Sequence, residues 1–247
     1  MKIKRSKIKN WIVLFILILF FVLIMINEGW RQSALSFLFP AEKNLIYSRI
    51  SLVFMLFEHL KLVVISSSIT VISGILIGTL ATRSSLKDFL DIINNFISIG
   101  QTFPPVAVLA LAVPVFGFGF VPAIIALILY GLLPVVRNTI TGLQSVPQHY
   151  LDVAYGLGMN KAQALFKVEI PMSAKIIIAG IRISVTINIG TAVIGAVIGA
   201  GGLGTVVIAG LVQDNISYVI QGVVPAAFLA VIADRFFAAV EDSFYAY

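Results

Sequence analysis

Long apolar stretches separated by short polar or glycine- and proline-marked breaks divide the chain. Residues 11–26 are sixteen apolar residues without a break. Similar stretches follow at 62–81, 89–115, 120–136, 176–198 and 218–240. Coiled as helices, stretches of about 20 residues span the ~30 Å hydrocarbon layer of a bilayer. The first is slightly short and would recruit flanking residues. Strict alternation over ten-residue segments is absent, which argues against an outer-membrane barrel. The pattern predicts an all-α polytopic membrane protein with about six transmembrane helices. Residues 11–247 would form one transmembrane domain behind a basic segment, 1–10. The longest external segment is 27–61, in which 50–57 is expected to lie along the membrane surface.

Composition agrees. Of 247 residues 60% are hydrophobic and 11% charged, with a mean hydropathy of +1.06. No cysteine is present, so disulfides and thiolate chemistry are excluded. The net charge of +6 fits basic loops on the cytoplasmic side better than nucleic-acid binding. With the N-terminus inside, thirteen of the seventeen Lys and Arg fall on inner segments. Arg31, Lys43, Arg49 and Lys61 fall outside. A basic start followed by an apolar run also fits a signal peptide, but no A-x-A site follows, so a retained first span is favoured.

One stretch has mixed character. Residues 147–171 read as two short helices lying between apolar blocks. Pro147 suits a first turn, and Gly156 and Gly158 interrupt. Asn160 with Gln163 forms a capping box that restarts the second helix. There Ala162, Leu165 and Phe166 share a face, and Pro171 is expected to end the helix. Such an amphipathic loop is either a plain connection or a docking element. Its spacing decides for docking. Asp152-Val153-Ala154, three residues, Gly158, nine residues, then Val168-Glu169-Ile170-Pro171 resembles the EAA motif of ABC-importer permease subunits. The departures are Asp for Glu, Val for Ala, Val for Ile and Ile for Leu. The resemblance implies that Asp152, Ala154, Gly158, Val168, Ile170 and Pro171 belong to a cytoplasmic coupling helix that docks on an ATPase subunit.

Other motifs are weaker. Gly199-Ala200-Gly201-Gly202-Leu203-Gly204 matches G-x-G-x-x-G but follows an apolar span, not a strand, so a dinucleotide site is rejected. A turn using positive φ is the plain alternative; a glycine-rich turn here is also typical of osmoprotectant and some amino-acid permeases. No G-x-x-x-x-G-K-[ST] occurs, so ATP and its magnesium would belong to a separate chain, with no cofactor in this one. His59 and His149 are placed on opposite sides, His59 at the interface beside Glu58 and His149 on a surface loop. No hydrolase motif is present. Charges inside spans are costly. Arg182 and Asp234 are an expected ion pair, with separate snorkelling to the interface as the alternative. Asn95, Gln101, Thr102, Thr186, Asn188 and Thr191 could line a translocation path or join helices by hydrogen bonds. Phe103 and Tyr130 could face a cation, or simply pack.

The resemblance extends over most of the chain. LLPVVRNTITGLQSV, AGIRISVTINIGTA, IGAGGLG and QTFPPVAVLAL look most like permeases importing glycine betaine, carnitine or choline. It implies the type I ABC importer permease fold in a bacterial cytoplasmic membrane. It also implies a second permease subunit forming a homodimer, ATPase subunits and an extracytoplasmic binding protein as partners, with no nucleic acid. A permease for methionine or another amino acid is the competing substrate class. A stand-alone secondary transporter is the competing mechanism, though it would have no use for an EAA loop.

Overall fold

The computed structural model describes residues 2–83, 95 and 103–244, with residues 2–9 given by backbone alone. All described elements are helical. Helix α1 is Lys2–Ile26, so the basic segment expected to stand apart continues into the first span. Helix α2, Glu28–Leu38, follows at an angle of 84° to α1. Helix α3, Leu52–Ala81, is 30 residues long. Residues 52–57, part of the segment expected to lie along the surface, are instead continuous with the helix expected from 62 onward. Leu52, Met55, His59, Leu62 and Ser66 are all buried and recur every three or four residues. One inward stripe therefore runs on beside the polar positions 58 and 61, and the helix continues unbroken there.

Of the expected span 89–115, only Asn95, which is helical and exposed, and the residues from Phe103 onward are described. Helix α4 is Pro105–Phe116. Gly117 and Gly119, both at positive φ, turn the chain into helix α5, Phe120–Gln144. That helix runs past the expected end at 136 because Val136, Thr139, Ile140 and Leu143 continue its buried stripe. Helices α6 (Gln148–Gly156) and α7 (Lys161–Ala164), a π-helical turn (Leu165–Glu169) and helix α8 (Ile170–Gly195) come next. Helix α9 is Gly204–Val212, and α10 is Ile216–Ser243.

Pro171 does not end a helix. Residues Lys161–Ile198 form one helical run of 38 residues. Proline lacks the N–H of the regular ladder, and its ring clashes with the carbonyl four residues back. The π-turn just ahead of it, closed by Ile170 N–H donating to the Leu165 carbonyl, widens the backbone there and lets the helix carry on. Ala164 is fully buried and Glu169 nearly so, whereas Ala162 and Phe166 are exposed.

Helix directions follow from contacts at the two ends. The C-terminal end of α3 meets the π-turn through Arg83 and Glu169, and its N-terminal half meets Gly201 and Gly202 beyond α8. The two helices are thus antiparallel. The same holds for α1 and α10: Asn10 bonds Asp242, Trp11 meets Phe236 and Phe21 stacks on Phe228. The helix pair α5–α8 closes on glycines. A Cβ at Gly180 would sit 2.5 Å from the Asn138 Cβ, and one at Gly131 would sit 2.7 Å from Ser184 Oγ. Between α3 and α5, Gly74 and Gly78 meet Val135 and Thr139 in the same way. Lipid tails are as apolar as leucine, so close backbone approach and dispersion hold such helices together where water exclusion cannot.

Candidate functional site: the elbow between α5 and α8

At one end of the bundle, 147–171 makes an elbow. Pro147 precedes α6, and Gly156 ends it. Gly158 has φ +82°. Its N–H donates to the Tyr155 carbonyl at 2.9 Å, and Met159 N–H donates to the Ala154 carbonyl at 3.0 Å. This pair of bonds is a Schellman close, which needs a left-handed residue at position 158. No atom of the described residues stands within 4 Å of a Cβ placed there, so the backbone conformation is what selects glycine. Ala154 is buried, while Asp152 is exposed and accepts from Gln148 Nε2 at 3.0 Å. Asn160 and Gln163 make the reciprocal capping box, each bond 2.9 Å. Val168 and Ile170 are half-buried, and Pro171 is exposed.

Two features of the elbow are illegible in its own sequence. The first is its outer surface. Tyr150, Val153, Tyr155, Leu157 and Phe166 are exposed, Leu157 at 74% and Phe166 at 68%. Exposed apolar residues gathered on a helical elbow mark an interaction surface. The second is a fork-to-fork ion pair. Arg83 Nη1 donates to Glu169 Oε1 at 3.1 Å, and Nη2 donates to Oε2 at 2.8 Å. The Glu169 side chain is 7% exposed and that of Arg83 32%. Arg83 Nε also donates to the Thr79 carbonyl, capping α3. The elbow is thus pinned to the end of α3 by two parallel charge-assisted bonds. A carboxylate among Val168, Ile170 and Pro171 was the only signal in the sequence.

Within the bundle, Arg182 Nε lies 2.6 Å from Asp234 Oδ1, and Nη2 lies 3.0 Å from Oδ2. Glu241 joins them at 3.6 Å from Nη1. Beside this trio a cleft of about 450 Å³ is lined by Ile183, Thr186 and Ile187. The three fifth-span path candidates separate. Thr186 opens on the cleft. Asn188 is fully buried and donates from Nδ2 to Ser67 Oγ at 3.1 Å, a bond between α8 and α3, so its side chain does not line the cleft. Thr191 is buried as well. Asn95 is exposed, and Gln101 and Thr102 lie outside the described residues. Tyr130 OH donates to the Phe103 carbonyl.

At the opposite end, Gly199, Gly201 and Gly202 all have positive φ. Gly202 N–H points to Glu58 Oε2 at 3.4 Å. A Cβ at Gly202 would stand 3.1 Å from the His59 Cα. The glycine motif is a close-packed turn. His59 is not at an interface; it is fully buried, with Nε2 3.1 Å from the Ile189 carbonyl, because the inward stripe of α3 passes through it. His149 is exposed on α6 against Tyr150.

Antiparallel apolar helices joined by a pinned, outward-facing elbow make a multi-pass membrane bundle. Residues 71–244 match the family of binding-protein-dependent transport system inner membrane components, and the chain belongs to that family. It is 41% identical over 177 residues to the osmoprotectant import permease protein OsmY of Salmonella typhimurium, covering 72% of this chain and 75% of that protein. It is 38% identical over 183 residues to the choline transport system permease protein OpuBB of Bacillus subtilis, covering 74% and 83%. Its fold is similar to that of the inward-facing MetNI methionine ABC transporter, with a TM-score of 0.64 at 19% identity over 76% of this chain and 95% of that one. An amino acid ABC transporter with histidines gives 0.63 at 22% identity, over 77% and 92%.

Proposed function

We propose that this chain is the permease subunit of an ATP-driven importer for a quaternary ammonium osmoprotectant: glycine betaine, carnitine or choline. The observation that carries the substrate class is the identity, near 40% over most of the chain, to permeases named for osmoprotectants and choline. A glycine betaine/carnitine/choline permease of Bacillus subtilis, OpuCB, is 40% identical over 177 residues. The methionine and amino-acid transporters share the fold at 19–22% identity, which says nothing of the solute.

In this reading the elbow faces the cytoplasm, and so do the N-terminus and the end of α10. ATPase subunits close on ATP and grip the exposed apolar residues of the elbow. Asp152, Ala154, Gly158, Val168, Ile170 and Pro171 shape the gripped part, and Arg83–Glu169 carries its movement to α3. A binding protein delivers solute on the opposite side. A second permease subunit, the same chain in a homodimer, completes the path, with Thr186 and the Arg182–Asp234–Glu241 cluster at its inner part.

Reconstitution tests it. The permease with its ATPase and binding protein in proteoliposomes should take up labelled glycine betaine, carnitine or choline only with ATP inside. Uptake by the permease alone on an ion gradient would overturn the mechanism. ATP-driven uptake of methionine in place of all three would overturn the substrate class.

A further inference from the structure

We infer that α2 is an interfacial anchor: it lies flat in the headgroup–acyl boundary, on the membrane face away from the elbow, with Trp30, Ala34, Phe37 and Leu38 set into lipid. This stands on the membrane crossing of α1 and α3 and is independent of the solute.

The placement begins with the bend. Helix α1 is apolar through Ile26, and α2 leaves it at 84°. A helix perpendicular to a membrane-crossing one runs along the surface. The bend is built from specific bonds. Asn27 leaves helical geometry at ψ 93°, and its side chain accepts from Trp30 N–H at 3.0 Å, capping the new helix. Arg31 reaches back and donates from Nη1 to the carbonyls of Ile24, at 3.0 Å, and Met25. A guanidinium on the free carbonyls at the end of α1 satisfies them and complements the helix dipole. Each half of the bend thus caps the other.

The surface of α2 then divides in three. At 100° per residue, Arg31 and Leu35 share a narrow strip turned toward the protein; Leu35 is buried. Glu28, Gln32, Ser33 and Ser36 take one side, all exposed. Trp30, Ala34, Phe37 and Leu38 take the other, within an arc of about 100°. They too are exposed, Phe37 at 86%. An apolar arc adjoining a polar one, on a helix leaving a membrane span at a right angle, fits the boundary between acyl chains and headgroups. Trp30 in the first turn suits the headgroup level. Eleven residues rise only about 16 Å, too short to cross. The polar arc also forbids burial in hydrocarbon. The bilayer is the one surface that the rest of the structure already places against this arc, because α1 enters it immediately before. Helix α2 precedes the segment that matches the family, 71–244.

The absence of cysteine makes the test direct. Single variants Ala34→Cys, Phe37→Cys, Gln32→Cys and Ser36→Cys, spin-labelled in the full chain in phosphatidylethanolamine–phosphatidylglycerol vesicles, are compared for collision with oxygen and with a water-soluble nickel chelate. Labels at 34 and 37 should favour oxygen, and those at 32 and 36 nickel. Nickel access at all four would place α2 in water. Shielding of 34 and 37 from both reagents would mean that a protein, a second copy or the binding protein, covers the arc. Either result overturns the anchor. As an independent check, Trp30 fluorescence in a Trp11→Phe background should be quenched more by lipids brominated near the headgroup than near the chain end. The reverse order, or no quenching, would overturn the shallow placement.

Discussion

The Arg83–Glu169 pair is the residue-scale feature with the largest expected effect. Glu169 is almost fully enclosed, and Arg83 is its ion-pair partner among the described residues. Losing one partner of a fully buried pair costs about 3–5 kcal/mol. Arg83 is 32% exposed, and water screens that part, so about 2 kcal/mol is the reasonable scale here. Arg83→Glu should leave the chain in the membrane but loosen the elbow, so that ATPase co-purification and uptake both fall. Adding Glu169→Arg should restore part of each. If the double variant behaves no better than the single one, the pair does not position the elbow. This contact joins residues 86 positions apart, and neither helix announces it locally. The capping box at Asn160 and the glycine at 158 were legible because their chemistry closes within a few residues.

At the scale of elements, the apolar stretches within α3, α5, α8 and α10 were legible as long helices, and the ends of those helices were not. Hydropathy marks where a helix meets lipid, but α3 and α5 run on past the apolar stretch because an inward stripe persists through polar positions. Pro171 shows the same gap between local and tertiary signals: proline chemistry predicts a stop, and a π-turn absorbs it. Close helix approach was hidden as well, since a glycine in a span does not name its neighbour. At Gly180 an added methyl would meet the Asn138 Cβ at 2.5 Å and the Pro134 carbonyl at 2.9 Å. Backbone cannot yield cheaply, so Gly180→Ala should cost about 1–3 kcal/mol, the usual cost of overpacking. Gly190 on the same helix has no atom of the described residues within 4 Å, so Gly190→Ala should hold stability or raise it by up to about 1 kcal/mol, the gain in helix propensity. Thermal unfolding in detergent compares the two; equal midpoints would show that α5 and α8 are not packed at Gly180.

For the whole molecule, what matters is that the elbow and the fifth span are one body. The run Lys161–Ile198 has 38 residues and no break. Softening it should separate ATP use from movement. With Ile178→Gly and Ala179→Gly, each about 1 kcal/mol less favourable in a helix than alanine, the ATPase should still bind and hydrolyse ATP while uptake falls. Undiminished uptake would show that motion does not travel along this helix.

At about 1.5 Å per residue that run is close to 57 Å long, more than the hydrocarbon layer is thick. A stiff beam of this kind moves at both ends when it is pushed at one. Tilting it by a few degrees from the ATPase side would swing its far tip, where Glu58 and His59 border the glycine turn, by several ångströms. In the importer proposed above, movement at the elbow is thereby geared directly to the glycine turn across the membrane, with no relay of small parts between them.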